Sequence, residues 1–429
     1  MRVARPGVVI TGLGSVTPLG ATTARLWDRL LTGASGVRAL HEPWAAGLPV
    51  RIAAPAELAP DAVPPVKGAR RLDRSAKLAL TAALEAWADA GFDGPRSGGR
   101  TARPEEVAVV VGSALGSQGT MLDTYDTLRT KGPEAVSPYA VPMFLGNSAA
   151  AQVGLAVGAR AGVHTPVSAC ASGAEAVLLG LEAIRSGRAK VVLAGGTDAN
   201  LNALTIASFA AMNALSRRND EPRLASRPFA KDRDGFVLGE GAGIVVLEDA
   251  EAARSRGARV YCEVIGGGVS SDSHHIARPP ADGSGLLEAM RLALLDARLD
   301  PTDLDLINAH ATSTPQGDEA EARAIRHLLG ARTGRIAVSA TKSGTGHLLG
   351  GAGAVETVIT ALSLHHRLVP PVANTDDGPE ALELGLVRHT PARLPDGPLA
   401  ALNNSLGFGG HNVVVALSAS GTGGGRTRP

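Results

Sequence analysis

Three well-separated stretches carry residues that could together run thiol chemistry. Cys170 stands in VSACASGAEA, residues 167–176. A short apolar run, Thr165 to Ala169, predicts a buried strand with the cysteine at its end. Small residues follow (Ala171, Ser172, Gly173, Ala174), and a helical pattern runs to about Ser186. Strand, nucleophile and helix in that order follow the logic of a nucleophile elbow. A helix N-terminus beneath the thiol would favour its thiolate. The same residues also fit a small buried thiol with no chemistry. His310 lies in NAHATST after a strand predicted at Leu304 to Ile307, and His347 lies in KSGTGHLLG after one at Ile336 to Ala340. Cysteine plus histidine is the usual constellation for thiol nucleophilic catalysis. Gly407-Phe408-Gly409-Gly410 sets glycines around one aromatic, which permits close approach and movement, or simply a turn between strands. The remaining histidines, including His274, His275, His365 and His366, sit on polar stretches and read as surface or loop groups.

The elements that must position these residues repeat. Strands are predicted at Val8 to Gly14, Val107 to Val111, Val191 to Ala194 and Gly243 to Leu247, and helices at Ser75 to Ala90 and Ser148 to Val157. Residues 40 to 70 read as loop, and residues 113 to 145 as loop with short helical pieces. From about residue 258 the pattern restarts. Strands at Val260 to Ile265, Leu304 to Ile307, Ile336 to Ala340, Ala400 to Asn403 and Asn412 to Leu417 alternate with helices at Leu286 to Ala297, Asp318 to Leu329 and Gly353 to His366. Unbroken Val and Ile runs argue for strands buried on both faces. Each half opens on a strand ending in glycines, and each carries Val-Ser-Ala, at 167–169 and 338–340. A duplicated α/β half follows, divided at residues 1–257 and 258–420, with a flexible tail at 421–429.

Composition narrows the class. With 429 residues, 44% of them hydrophobic, the chain can bury a large core. A net charge of +1 leaves no global basic field for nucleic acid. Two distant cysteines give no zinc spacing, and their scarcity suits a reducing cytoplasm. The opening MRVARPGVVITGLG does not read as a signal peptide, and no apolar run of about 18 residues exists to span a membrane. There is no Walker A or HExxH motif. The Gly266–Gly268 cluster lacks Rossmann spacing and its acidic partner.

Taken together, six segments resemble the condensing enzymes of the β-ketoacyl-[acyl-carrier-protein] synthase II type. They are VSACASGAEA at 167–176, RPFAKDRDGFVLGEGAG at 227–243, SSDSHHIARPP at 270–280, NAHATSTPQGD at 308–318, TKSGTGHLLGGAGAVE at 341–356 and NNSLGFGGHN at 403–412. The likeness covers about residues 6 to 418. It implies a thiolase fold, with duplicated halves forming a five-layer αβαβα sandwich of two mixed five-stranded sheets, and normally a homodimer. It implies that Cys170 takes an acyl group from acyl carrier protein, and that His310 and His347 handle decarboxylation of the malonyl-loaded carrier. Lys342 would set the surroundings of His310, with Glu356 linked to that lysine. The backbone N–H groups of Cys170 and Phe408 would form an oxyanion hole, and Phe408 would act as a gate. Thr312, Thr314 and Gly409 would contact the pantetheine arm. Decarboxylative Claisen condensation needs a thiol, two neutral donors for an enolate and an oxyanion hole, but no metal or redox cofactor.

Some positions depart from the common pattern. Ala230, Ala311, Gly344 and Leu406 stand where aspartate, glycine, a larger residue and phenylalanine are frequent. None removes a catalytic group. An acidic carrier implies a basic docking patch. Lys67, Arg70, Arg71 and Arg74 form the densest cluster and Arg217–Arg218 another, and both also read as solvated charged loops. The expected activity is fatty-acid chain elongation in the cytoplasm. The alternatives are a polyketide ketosynthase paired with a chain-length factor, a thiolase acting on CoA esters, and a non-catalytic scaffold subunit. The first predicts a heterodimer, the second a further catalytic cysteine near the C-terminus, and the third a Cys170 that never acylates.

Overall fold

The computed structural model describes residues 5–58, 66, 68, 71–93, 102–375, 378 and 383–420. Ten strands form its frame: β1 (Val8–Val16), β2 (Val107–Gly112), β3 (Val163–His164), β4 (Val191–Asp198), β5 (Gly241–Asp249), β6 (Cys262–Ser271), β7 (Leu306–Asn308), β8 (Ala337–Ser339), β9 (Leu399–Gly407) and β10 (His411–Ala419). They hydrogen-bond in the order β8-β7-β9-β10-β6-β1-β5-β4-β2-β3. That row is two copies of one five-stranded pattern, 3-2-4-5-1, with the second copy numbered five higher. Parallel and antiparallel pairings repeat too: β2 is parallel to β3 and β4, as β7 is to β8 and β9. The expected two sheets are therefore present, but they are not separate. A short antiparallel ladder, Val9 with Glu263 and Ile10 with Cys262, joins them, because Tyr261 donates its N–H to Ile10 O at 2.9 Å as the second half begins.

Six helices complete the layers: α1 (Arg74–Asp89), α2 (Ser148–Val157), α3 (Ser172–Arg185), α4 (Ser284–Ala297), α5 (Pro315–Leu329) and α6 (Ala352–His366). The first two cover one sheet, α4 covers the other with α5 packed beside it in the same apolar cluster, and α3 and α6 pack against strands of both. Position follows composition. In α6 every residue from Ala352 to Leu364 is buried, as suits a helix apolar on all sides. The equally long α5 keeps one polar face. Glycines near the start of each half bring its first helix close. A Cβ on Gly14 would lie 1.9 Å from Ala82 O of α1, and one on Gly268 would lie 2.0 Å from Ala289 O of α4.

Three local expectations fail. The run Thr165 to Ala169 is not a strand: β3 ends at His164, and the chain reaches Cys170 through a 3-10 turn, Ala169–Ala171. Proline at 166 lacks the N–H that a ladder needs. Residues 113 to 145 contain a full helix, Gln118–Lys131, hidden from periodicity because none of its residues is buried. The loop at 40 to 70 includes a short strand, Ile52–Ala53, which pairs with Ala39 and Arg38 just before it. The predicted tail at 421–429 lies outside the described residues, as do Lys67 and Arg70.

Candidate active site

Cys170 sits at the start of α3, in a turn whose first residue, Ala169, has φ of 51°. A non-glycine residue in that region is strained, and strain of this kind marks nucleophile elbows. Ser172 holds the turn by donating to Ala169 O at 2.6 Å and accepting from Ser168 N at 3.0 Å. The thiol is buried. Burial pushes it up to about 12, against the pull of the Lys342 charge and of the N–H groups of Phe408 and Cys170. The expectation that the helix terminus favours a thiolate is thus reversed, because desolvation of the anion outweighs the nearby positive groups. Both backbone N–H groups nevertheless converge on the sulfur.

The two histidines come from the second half. Their rings meet edge to face, with centroids 5.3 Å apart. Burial lowers both well below the ordinary histidine range, and the Lys342 charge adds to it. Both are therefore neutral at pH 7. Lys342 Nζ lies 3.3 Å from His310 Nδ1 and is ion-paired with Glu356. With the ammonium donating, Nδ1 accepts and the ring proton sits on Nε2. Burial raises the Glu356 carboxyl to about 7, against the attraction of Lys342. Across the cavity, Phe236 stands edge-on to His347 and to Phe209, and Phe209 lies 6.3 Å from the ring of Phe408.

A cavity of about 660 Å³ joins these groups: Cys170, His310, His347 and Phe408 wall it together with Thr312 and Thr314. The two threonine hydroxyls are 3.1 Å apart, and the positive φ of Ser313 between them, 71°, turns both to one side. Gly407, Phe408 and Gly410 line the cavity, whereas Gly409 donates its N–H to Ile276 O at 2.7 Å. Leu406 also lines it. Gly344, between Lys342 and His347 in the chain, does not line it: a Cβ there would meet Ala34 O at 2.8 Å and Leu19.

The expected basic patch is only partly available. Arg74 is engaged by the buried Glu240, with Nε 2.8 Å from Oε1, so it braces the fold. Arg71 lies over the Tyr139 ring at 4.5 Å. Arg217 stays exposed beside the cavity mouth, its N–H on Asp234 and its guanidinium on Asn213.

Several buried carboxylates escaped the sequence reading. Glu321 accepts the N–H of His310 at 2.9 Å and of Ala311 at 2.7 Å, and Asn404 donates to it at 3.1 Å. Asp318, one turn earlier on α5, accepts from Phe229 N and Ser313 N. Asp198 accepts from five donors beside the cysteine turn. The available signal was weak: two acids at i and i+3 directly after the histidine strand, and an acid closing GGTD.

Models of the beta-ketoacyl synthase N-terminal and C-terminal domains match residues 5–253 and 261–376. The chain belongs to the β-ketoacyl synthase family. It is 40% identical to the 3-oxoacyl-[acyl-carrier-protein] synthase 2 of Coxiella burnetii, over 96% of this chain and 98% of the relative. It is 42% identical to the protein of the same name from Rhizobium meliloti, again over 96% and 98%. A type II PKS ketosynthase solved in complex with its acyl-carrier protein, bound to the hexaketide, superposes with a TM-score of 0.87 at 31% identity, covering 97% of this chain and all of that one. A beta-ketoacyl synthase from Burkholderia phymatum gives 0.86 at 34% identity, over 96% and 99%. The ten-stranded frame is thus a β-ketoacyl synthase frame, and its thiolase fold explains why the two halves repeat.

Proposed function

We propose that this β-ketoacyl synthase elongates fatty acyl chains on acyl carrier protein, as a 3-oxoacyl-[acyl-carrier-protein] synthase of the second type. The observation that carries this reading is the pairing of one thiol under two backbone N–H groups with two buried neutral histidines. The Cys170 sulfur attacks the acyl thioester carbonyl. The N–H groups of Cys170 and Phe408 hold the tetrahedral oxyanion. The pantetheine sulfur leaves and takes up the proton given up by the thiol. A malonyl thioester then loses CO2, and the N–H groups of His310 and His347 bind the enolate oxygen. The enolate carbon attacks the Cys170 thioester, the sulfur leaves, and β-ketoacyl thioester is released. Lys342 and Glu356 hold His310 in its donor tautomer, and Thr312 and Thr314 guide the pantetheine arm. A buried thiol suits this sequence, since the resting nucleophile stays uncharged and shielded until thioester enters.

The partner is acyl carrier protein, with Arg217 at the mouth as a docking contact alongside Lys67, Arg70 and Arg71. The protein works as a homodimer in the cytoplasm. Support for the dimer is the edge strand β3, whose residues are both exposed, with Leu155 and Val167 exposed nearby. The helix Gln118–Lys131 adds Met121, Tyr125 and Leu128, all exposed at helical spacing. Among the described residues no helix is long and apolar enough to cross a membrane.

Incubation with acyl-loaded carrier, followed by intact mass spectrometry, tests the reading. The acyl adduct is expected on the native chain and absent from Cys170→Ala. A Cys170→Ala protein that still forms β-ketoacyl product overturns the mechanism. A second reading is a polyketide ketosynthase paired with a chain-length factor, favoured by the likeness to "the ishigamide ketosynthase/chain length factor" at a TM-score of 0.86. Elongation of saturated acyl carriers of graded length by the chain alone supports the first reading. Activity that requires a co-purifying second subunit supports the other.

A further inference from the structure

The relation between the two halves maps Cys170 onto Gly350. A Cβ on Gly173 would meet Ala354 N at 2.9 Å, and one on Gly353 would meet Ala174 N at 3.0 Å, so α3 and α6 touch through equivalent residues. Each helix follows a 3-10 turn, Ala169–Ala171 or Leu349–Gly351. Each turn starts on a residue with positive φ, 51° at Ala169 and 50° at Leu349. In the first turn the Cys170 N–H is turned toward its own sulfur. In the second, the Gly350 N–H is taken by Asp198, 2.7 Å to Oδ2. Ala114 N reaches the same oxygen at 2.8 Å. The other oxygen accepts from Ser113 Oγ at 2.9 Å, Asn200 Nδ2 at 3.0 Å and Leu115 N at 3.2 Å. Asp198 is fully buried, and none of these donors is a cation.

We propose that Asp198 is a positioning residue for acyl transfer: it pins the two segments that pack beside Cys170, and its negative charge opposes that of Lys342 at the sulfur. Ala114 and Leu349 pack in one apolar cluster with Cys170, and Leu349 also walls the cavity. Asp198 holds the N–H of Ala114 and of Gly350, the residue after Leu349. An asparagine cannot repeat this. Both carboxylate oxygens face donors, so one donor set would meet the amide NH2. The charges that act on the sulfur are Lys342 and Asp198; neutral His310 and His347 and the carboxyl of Glu321 share its cavity, and Glu356 is held by Lys342. Burial raises Asp198 to about 6, so it is ionised at neutral pH and opposes thiolate formation while Lys342 favours it. Removing its charge must therefore lower the thiol's titration midpoint.

The test is the pH profile of Cys170 alkylation by iodoacetamide, followed by mass spectrometry, in the native protein, Asp198→Asn and Asp198→Glu. Asp198→Asn is expected to shift the profile to lower pH by about half a unit, roughly threefold more thiolate at any pH below the midpoint. Asp198→Glu keeps the charge and is expected to keep the native profile. Acyl transfer from acyl carrier falls about tenfold in Asp198→Asn, while malonyl decarboxylation at the histidines changes less than twofold. A profile that stays in place or moves upward in Asp198→Asn overturns the proposal. Where Asp198→Asn shows no cooperative melting, Ser113→Ala removes one donor without touching the backbone. A severalfold loss of acyl transfer there supports the proposal, and native acyl transfer overturns it. The inference rests on reading Cys170 as the nucleophile, and the two fail differently. A native chain that alkylates at Cys170 but never takes an acyl group overturns that reading, whereas an unmoved alkylation profile overturns only the role of Asp198.

Discussion

Lys342 Nζ stands 3.3 Å from His310 Nδ1 while ion-paired with Glu356, so one buried cation sets the tautomer of a neighbouring imidazole and adds to the burial that lowers its titration. Its charge pushes the His310 midpoint down, in the same direction as burial. Replacing it by alanine lets that midpoint rise toward the ordinary value of about 6.5. Decarboxylation that needs neutral His310 then fails at higher pH than in the native protein. For Lys342→Ala we expect an acid limb moved upward by about one unit and CO2 release from malonyl carrier down at least tenfold at pH 7. Native rates with an unmoved acid limb would remove Lys342 from this role.

Gly407 packs against the Cys170 turn with less room than a methyl group needs. A Cβ there would lie 2.3 Å from Ser168 O and 3.3 Å from Cys170 N. Both neighbours are backbone atoms of the turn that aims the thiol, and backbone cannot yield as a flexible side chain does. Gly407→Ala should therefore displace the Cys170 N–H from the oxyanion position. The expected loss in acylation is about a hundredfold, the scale of one missing oxyanion donor. Far-ultraviolet circular dichroism should stay native. Acylation within threefold of the native rate would show that the turn tolerates the push.

Nine of the ten strands could be read from apolar runs, as in VAVVVG of β2 and VVLAGG of β4, because burial leaves a continuous apolar signature; β3, with both residues exposed, leaves none. Cys170, His310 and His347 could be picked out by residue type and by their place after apolar runs, whereas Lys342 and Glu356 came only from the resemblance to the condensing enzymes. What supports them could not. Glu321 and Asp318 look like the polar face of an ordinary amphipathic helix until α5 is packed over the histidine loop. Arg74 reads as a free surface charge because its partner, Glu240, is far away in sequence. Gln118–Lys131 carries only a sparse apolar stripe, Met121, Tyr125 and Leu128, on an otherwise polar helix, and that stripe faces outward. Periodicity reports burial within one chain, and ion pairs between distant segments leave no local trace.

Glu321 bridges the backbone of the histidine loop to β9, since the carboxylate that accepts from His310 N and Ala311 N is also held by Asn404. Glu321→Gln preserves shape but turns an NH2 toward one of three donors. His310 then loses its fixed height above the cavity, while the Cys170 turn, built from another helix, is untouched. We expect malonyl decarboxylation to fall about tenfold and acyl-enzyme formation to stay within twofold. A parallel loss in both assays would mean that Glu321 supports the whole fold rather than the histidine loop.

Arg256 offers the converse case, a half-buried guanidinium on a buried carboxylate, far from the cavity. Its Nε lies 2.8 Å from Glu248, Nη2 reaches Ala90 O at 2.7 Å, and the guanidinium sits over Phe92 at 4.3 Å. Glu248 is buried on β5, where Thr11 also donates to it. Arg256→Met leaves that carboxylate without its cation in the interior, which costs about 3 kcal/mol. Pairing it with Glu248→Met removes the stranded charge and should restore most of the loss, because two apolar side chains replace an ion pair whose desolvation was never free. Thermal melting of the two variants reads this directly, with the single variant well below the native chain and the double variant close to it. Condensation per folded molecule should stay within twofold in both, since neither residue lines the cavity. A double variant no more stable than the single would mean that the pair contributes through its geometry on Ala90 and Phe92, not through its charge balance.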